Sequence, residues 1–190
     1  MKNTILVILV ICNLCMIYLV CTQRNSETEI NTTLLKTLAN DNVSLVKYDS
    51  ERTIDFGTTI RNSDGDVVCI SDIVNDGRKL IVRYSELNCK SCVDSILYYT
   101  EQFGKRIGRD KIQVWAKFTS LSNYLLMKRI IDHDIDLYDA SNFSFGVDSL
   151  NVPYLFILNN DMTISNIFIP HKEFPQLNEW YFSTIKERLL

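Results

Sequence analysis

Cys89-Lys90-Ser91-Cys92 is the stretch of this sequence best equipped for chemistry. A thiolate is the attacking species in disulfide exchange, and a second thiol two residues further on can resolve the resulting mixed disulfide within the chain. The pair follows Lys79 to Tyr84, a compact β-rich run that reads as a buried strand. It precedes Val93, Ile96, Leu97, Phe103 and Ile107, which are spaced for one helix face. The cysteines therefore sit where a strand hands over to a helix. Free N–H groups and a partial positive charge at a helix start stabilise a thiolate, and Lys90 adds a cation beside it. The spacing assigns Cys89 as nucleophile and Cys92, one turn deeper, as resolving thiol.

The chain has six cysteines. Cys12 and Cys15 lie in an apolar segment and read as small hydrophobes. Cys21 ends that segment. Cys69 falls on the inward phase of a short strand if Val67 is buried, which predicts an inert thiol. A zinc site needs four ligands. Beyond the pair only Cys69, His133 and His171 are candidates, so no metal is expected. A structural disulfide between Cys89 and Cys92 stays open, because an exported compartment permits one. It would close a very small loop and constrain little chain entropy. His133, between Asp132 and Asp134, reads as a solvated loop residue. His171 follows Pro170 near the end of the last strand.

The elements around the pair follow from periodicity and turn chemistry. Ile54 to Ile60 and Asp66 to Ile70 read as two short strands joined by Asn62-Ser63-Asp64-Gly65. Gly108 ends the helix after the cysteines. Ile112, Val114, Ala116 and Phe118 alternate as a strand. Leu121, Tyr124, Leu125 and Ile131 predict another helix, capped by Ser120 or Ser122. Tyr154 to Leu158 and Thr163 to Ile169 form a hairpin around Asn159-Asn160-Asp161. Phe174 to Leu189 is a closing helix with Leu177, Trp180, Tyr181, Ile185 and Leu189 inward. Trp115 and Trp180 read as core. Strands alternating with helices, then a hairpin, predict an α/β domain: a mixed sheet with helices on both faces.

Of the 190 residues, 46% are hydrophobic and 11% aromatic, enough for a core without disulfide staples. The net charge of −3 is spread along the chain, with no basic cluster for nucleic acid. Ile5 to Val20 is an apolar run broken only by Asn13, with Lys2 in front. It reads as a signal-peptide core or a short anchor, borderline against the roughly 17–25 residues of a full span. The polar stretch Thr22 to Thr33 reads as linker. Three fates stay open: an uncleaved anchor, lipidation at Cys21 (with Val20 where a small residue is usual), or cleavage. All three carry the body out of the cytoplasm. The organisation is residues 1–21 as membrane anchor or signal, 22–44 as linker and 45–190 as the folded domain.

Over about residues 45 to 190 the sequence resembles the thioredoxin-like superfamily. Strand, Cys-x-x-Cys and helix look like thioredoxin. Asp64-Gly65-Asp66-Val67-Val68-Cys69-Ile70-Ser71-Asp72-Ile73 resembles the "G-x-x-V-x-L-S-D-L" segment of membrane-anchored TlpA/ResA-type disulfide reductases. Phe145-Gly146-Val147 and Asn151-Val152-Pro153-Tyr154-Leu155-Phe156-Ile157-Leu158 resemble their "Y-G-V … V-P-T-x-F-L-I-D" segment. The resemblance implies a thioredoxin-like mixed sheet with a short N-terminal β extension. It implies that Pro153 is cis and lies against the cysteine pair, with the Val152 backbone free to bind a substrate chain. From its own position, Pro153 also reads as an ordinary strand-start proline.

The sequence departs from the family at several places. Asn88 stands where the family has Trp, and Ser85-Glu86 where it has Trp-Ala. Arg83 stands where thioredoxin has a buried Asp that relays protons. Arg83 either points at the pair and favours the thiolate or snorkels on a partly exposed strand. Glu86 is either an acid–base group or a solvent-facing loop residue. Arg83, Glu86 and Lys90 are thus the candidates for tuning the thiols. Copper-chaperone relatives use a cysteine pair plus a distant C-terminal His, with their cysteines one residue further apart than these. No Thr-x-x-Cys element of a peroxidase is present.

The resemblance implies an enzyme without a cofactor that reduces disulfides in exported proteins. An upstream electron donor would recycle it, and it would be tethered through its N-terminus on the periplasmic side of the cell envelope. The rival is a non-catalytic binding or copper-delivery module on the same scaffold.

Overall fold

The computed structural model describes residues 15–18, 53–130 and 135–190. Residues 1–40 and 41–190 form two separate units. In the first, residues 15–18 are helical and Cys15 is exposed. Among the described residues no helix is long and apolar enough to cross a membrane. The readings placed on Cys12, Cys21, Ile131, His133 and the linker fall outside the described residues.

The second unit is built on β3 (Lys79–Ser85), whose first six residues are all buried. Such a run belongs in the middle of a sheet covered on both faces. β3 pairs in parallel with β4 (Ile112–Lys117) and antiparallel with β6 (Tyr154–Leu158). With β1 (Thr59–Arg61), β2 (Val67–Cys69), β5 (Asp136–Asp139) and β7 (Ile164–Phe168) it forms one mixed seven-stranded sheet, ordered β2-β1-β5-β4-β3-β6-β7. β4 and β5 are parallel, and β6 and β7 form the expected antiparallel hairpin. The short β1–β2 hairpin joins the sheet through β5, and Gly65 at φ 92° makes its turn.

Among the described residues four α-helices accompany the sheet: α1 (Ile70–Ile73), α2 (Lys90–Ile107), α3 (Leu121–Ile130) and α4 (Pro175–Leu189). α2 packs on β3 and on α4, where the Phe103 and Phe182 rings lie 4.9 Å apart. One core cluster unites Ile81, Trp115, Tyr154 and Phe156 of the central strands with Ile60, Ile70 and Ile73 of the N-terminal extension. The pleat turns Leu80, Val82, Val114 and Leu155 the other way, and all four are fully buried.

Several expectations need correction. β1 begins at Thr59, not Ile54. Ile54 is instead buried in the core, and its backbone N–H donates to Met162 O at 2.9 Å. Val67 is 66% exposed on the edge strand, so Cys69 is half-buried and not part of a sealed core. Trp180 is 54% exposed. The buried ridges of α4 run through Leu177, Tyr181, Ile185 and Leu189 and through Asn178 and Phe182, and Trp180 falls off both. On α3, Tyr124 is buried while Leu121 and Leu125 are exposed. β5 was not anticipated: four residues, two of them Asp, carry too little apolar pattern to read as a strand.

Candidate active site

β3 ends at Ser85, and a tight turn carries the chain to Cys89. Asn88 closes that turn: its backbone N–H donates to Ser85 O at 2.9 Å, and its side-chain oxygen accepts from Ser85 N at 2.7 Å. Its amide nitrogen donates to Asn151 Oδ1 at 3.0 Å, tying the turn to the segment before β6. Cys89 then occupies the N-cap position of α2. Its carbonyl accepts the Cys92 and Val93 N–H groups at 2.9 and 3.0 Å. Its own sulfur is left facing outward.

The two thiols are unequal. Cys89 is exposed and Cys92 half-buried, and both stand as free thiols. The Cys89 thiol is pulled down from its ordinary 9.0 to about 7. The largest cause is a hydrogen bond from the Cys92 thiol, followed by the Ser91 hydroxyl, 3.2 Å away, and then backbone N–H groups of the first helical turn. Cys92 is pushed up, first by donating that bond, then by burial and by the charge on Cys89, while Lys172 partly opposes the rise. The negative charge settles on the accessible sulfur and the proton stays on the inner one.

The pair opens onto a cavity of about 280 Å³. Pro153 forms part of its wall, and Pro170, His171, Lys172 and Glu173 from the connection after β7 form another. Among the described residues no group of three or more His, Cys, Asp or Glu side chains is arranged to hold a metal ion.

This architecture is matched by solved structures at low identity. Peroxidoxin BcpB of Mycobacterium tuberculosis matches with a TM-score of 0.54 at 9% identity, over 73% of this chain and 97% of that one. A cysteine-to-serine mutant of peroxiredoxin Q of Xanthomonas campestris matches with a TM-score of 0.51 at 10% identity, over 74% and 99%. The fold is thioredoxin-like. A thiol:disulfide interchange protein DsbE of Chlorobium tepidum matches with a TM-score of 0.48 at 12% identity, over 70% and 96%. No family model and no curated protein matches the chain.

Within this thioredoxin-like domain the sequence-predicted residues are sorted as follows. Cys89 and Cys92 come together at the start of α2. Pro153 is buried beside them, but the Val152–Pro153 bond is trans, since no described peptide bond is cis. The expectation of a cis proline is therefore corrected. Asn151 provides a physical reason. It takes the left-handed conformation, φ 52° and ψ 39°, at the end of the 3₁₀ turn Gly146–Leu150. The chain is redirected two residues before the proline, so a trans bond can lead into β6. Val152 faces a different cavity of about 160 Å³, shared with Arg83, Asn88 and Asp148.

Arg83 neither snorkels nor reaches the sulfurs. Its side chain is 1% exposed and donates to Ala140 O and Phe143 O at 2.9 Å and to both carboxylate oxygens of Asp148. Glu86 accepts from Thr119 N at 2.7 Å and Asn123 Nδ2 at 2.8 Å, tying the cysteine loop to the start of α3. These bonds, led by that of Thr119, hold its carboxyl below the ordinary value. Lys90 pairs with Asp94 at 2.7 Å on the exposed helix face. All three are bonded to partners other than the two sulfurs.

Sequence reasoning missed Ser91, although its hydroxyl inside the motif was a visible signal. It also missed Asn88 as a tie between loops, Asp148 as the partner of Arg83, and the part played by His171 and Lys172. No local pattern marks these last contacts, because each joins segments far apart in the chain.

Proposed function

We propose that this chain is a thiol–disulfide oxidoreductase of the TlpA/ResA type that reduces disulfides in exported proteins. The observation that carries this reading is the asymmetry of the dithiol: an exposed Cys89 whose thiol lies at about 7, backed by a half-buried Cys92 that keeps its proton. Near neutral pH an attacking thiol is most effective when its pKa is close to the ambient pH. Cys89 attacks a substrate disulfide and forms a mixed disulfide, releasing one substrate thiol. Cys92 then attacks Cys89, and the second substrate thiol leaves. The protein's dithiol becomes a disulfide, the substrate's disulfide becomes two thiols, and an upstream electron donor restores the dithiol. Pro153, buried in the wall of the cavity that carries both cysteines, borders the place where a substrate chain would lie.

Mixed-disulfide trapping tests this. Cys92→Ser should accumulate a covalent adduct with a disulfide-bonded protein, and Cys89→Ser should accumulate none. Trapping by Cys89→Ser alone would reverse the roles, and no adduct from either variant would sink the reading. A reduction potential near ~ −270 mV supports a reductant, and one near ~ −120 mV an oxidant.

The apolar run Ile5 to Val20 supports placing the domain outside the cytoplasm, held by an N-terminal anchor or by lipid at Cys21. Full-length chain recovered in the membrane fraction, with a soluble folded body after removal of residues 1–25, is the expected result.

A further inference from the structure

Resolution requires Cys92 to lose its proton as it attacks. In the free dithiol the Cys92 thiol is pushed up by its bond to Cys89, by burial and by the charge on Cys89, and its sulfur is half-buried. Once Cys89 is in a mixed disulfide it is no longer a thiolate that could take the proton. The groups near the motif in sequence are occupied elsewhere. Arg83 is bound to Asp148, Glu86 to Thr119 and Asn123, and Lys90 to Asp94.

The cavity at the dithiol is also lined by three titratable groups from the connection after β7: His171, Lys172 and Glu173. This connection is anchored. Asn178 on α4, 1% exposed, accepts from His171 N and donates to His171 O, both at 3.0 Å. Two bonds from one buried amide fix the backbone of His171 itself. The Phe174 ring lies edge-on to the imidazole, with centroids 6.4 Å apart. Burying a polar amide is costly unless it is fully bonded, and here both of its bonds hold a single residue of the cavity wall. Imidazole is the side chain that exchanges a proton between pH 5 and 8. The cavity that His171 lines also carries Cys89 and Cys92 from the start of α2, and Lys172 and Glu173 from its own connection. The Lys172 ammonium favours the thiolate form of Cys92.

We propose that His171 is the general base and acid of the resolving step. It takes the proton from Cys92 Sγ as that sulfur attacks Cys89 Sγ. The Cys89–Cys92 bond forms, the bond from Cys89 to substrate sulfur breaks, and the proton passes from His171 to the departing substrate thiolate. This inference rests on the oxidoreductase reading, so its test separates the two steps.

In single-turnover experiments on the full chain with a disulfide-bonded protein, formation of the mixed disulfide and release of the second thiol are timed separately from pH 5 to 9. His171→Gln should leave the first step within about twofold and slow the second by about 100-fold, the usual lower range for acid–base catalysis. Added free imidazole should restore part of the lost rate. In the unsubstituted chain the second step should rise in rate between pH 5 and 8. An unchanged second step in His171→Gln, equal slowing of both steps, or a flat pH profile of the second step would each overturn the assignment. If the unsubstituted chain forms no mixed disulfide, the oxidoreductase reading fails first and this inference falls with it.

Discussion

Arg83 and Asp148, 65 positions apart, form a two-bond ion pair beneath the cysteine loop, Nη2 to Oδ2 at 3.0 Å and Nε to Oδ1 at 3.3 Å. Tyr154 OH adds a third bond to Asp148 at 2.8 Å, and the Arg83 guanidinium lies 5.0 Å from the Phe143 ring centroid. The pair joins the strand that delivers Cys89 to the turn that delivers Pro153.

Removing one partner should be costly. Arg83→Met leaves the Asp148 carboxylate without its cation. Because Asp148 keeps some solvent contact, the loss should fall at the lower end of the range for broken buried pairs, about 3 kcal/mol. An unfolding free energy from urea denaturation that falls by less than a third of that would refute the estimate. The pH dependence follows from the same pair. Burial pushes the Asp148 carboxyl up, but the bonds and charge of Arg83 bring it below its ordinary 3.8. The stabilisation is therefore complete above 3.8 and lost as pH falls through the lower folded value. Asp148→Asn should show a shallower acid limb in unfolding free energy than the unsubstituted chain.

The second prediction concerns the Cys89 thiolate. Its alkylation by iodoacetamide should reach half its maximal rate near pH 7, matching the thiol at about 7. Cys92→Ala removes the largest stabilising bond and Ser91→Ala the next, so both should raise the midpoint, Cys92→Ala by more. A larger rise in Ser91→Ala would show that the hydroxyl, not the partner thiol, holds the charge.

A third prediction addresses Asn88, which stands where a Trp would follow from the family resemblance. Asn88→Ala gives up the bonds to Ser85 N and Asn151 Oδ1. It should destabilise by about 1–3 kcal/mol and slow attack by Cys89 on a protein disulfide more than on a small thiol reagent. Equal slowing on both would mean that Asn88 serves the thiol itself and not the docking surface.

Gly104 supplies a test of packing. A Cβ there would meet Ile112 Cδ1 at 2.8 Å. The end of an isoleucine can shift, and alanine gains about 1 kcal/mol of helix propensity over glycine, so Gly104→Ala should be near neutral. Gly104→Val should cost about 1–3 kcal/mol through overpacking. Thermal melts of the two variants decide this, and equal melting temperatures would show that α2 can move away from β4.

The local signals carried the central strands, the long helices and the reactive pair, but not β5. Lys79 to Tyr84 is apolar enough to be a central strand, Tyr154 to Leu158 and its hairpin partner read directly, and Cys-x-x-Cys after a buried strand places both thiols at a helix start. These features depend on residues within a few positions of one another, which is the range over which periodicity and turn chemistry act. What surrounds the thiols was settled by tertiary contacts. Arg83 has no local reason to be buried, and only Asp148 and two backbone carbonyls make it so. Pro153 matches the family pattern in sequence, yet its bond is trans, where the left-handed Asn151, tied to Asn88, redirects the chain just before it. His171 shares a cavity with the dithiol, where a buried Asn178 grips its backbone from α4. The sequence by itself determined the pair and the scaffold, through interactions short in range. The environment that sets how the pair reacts was decided by contacts between distant segments, which exist only once the sheet has brought those segments together.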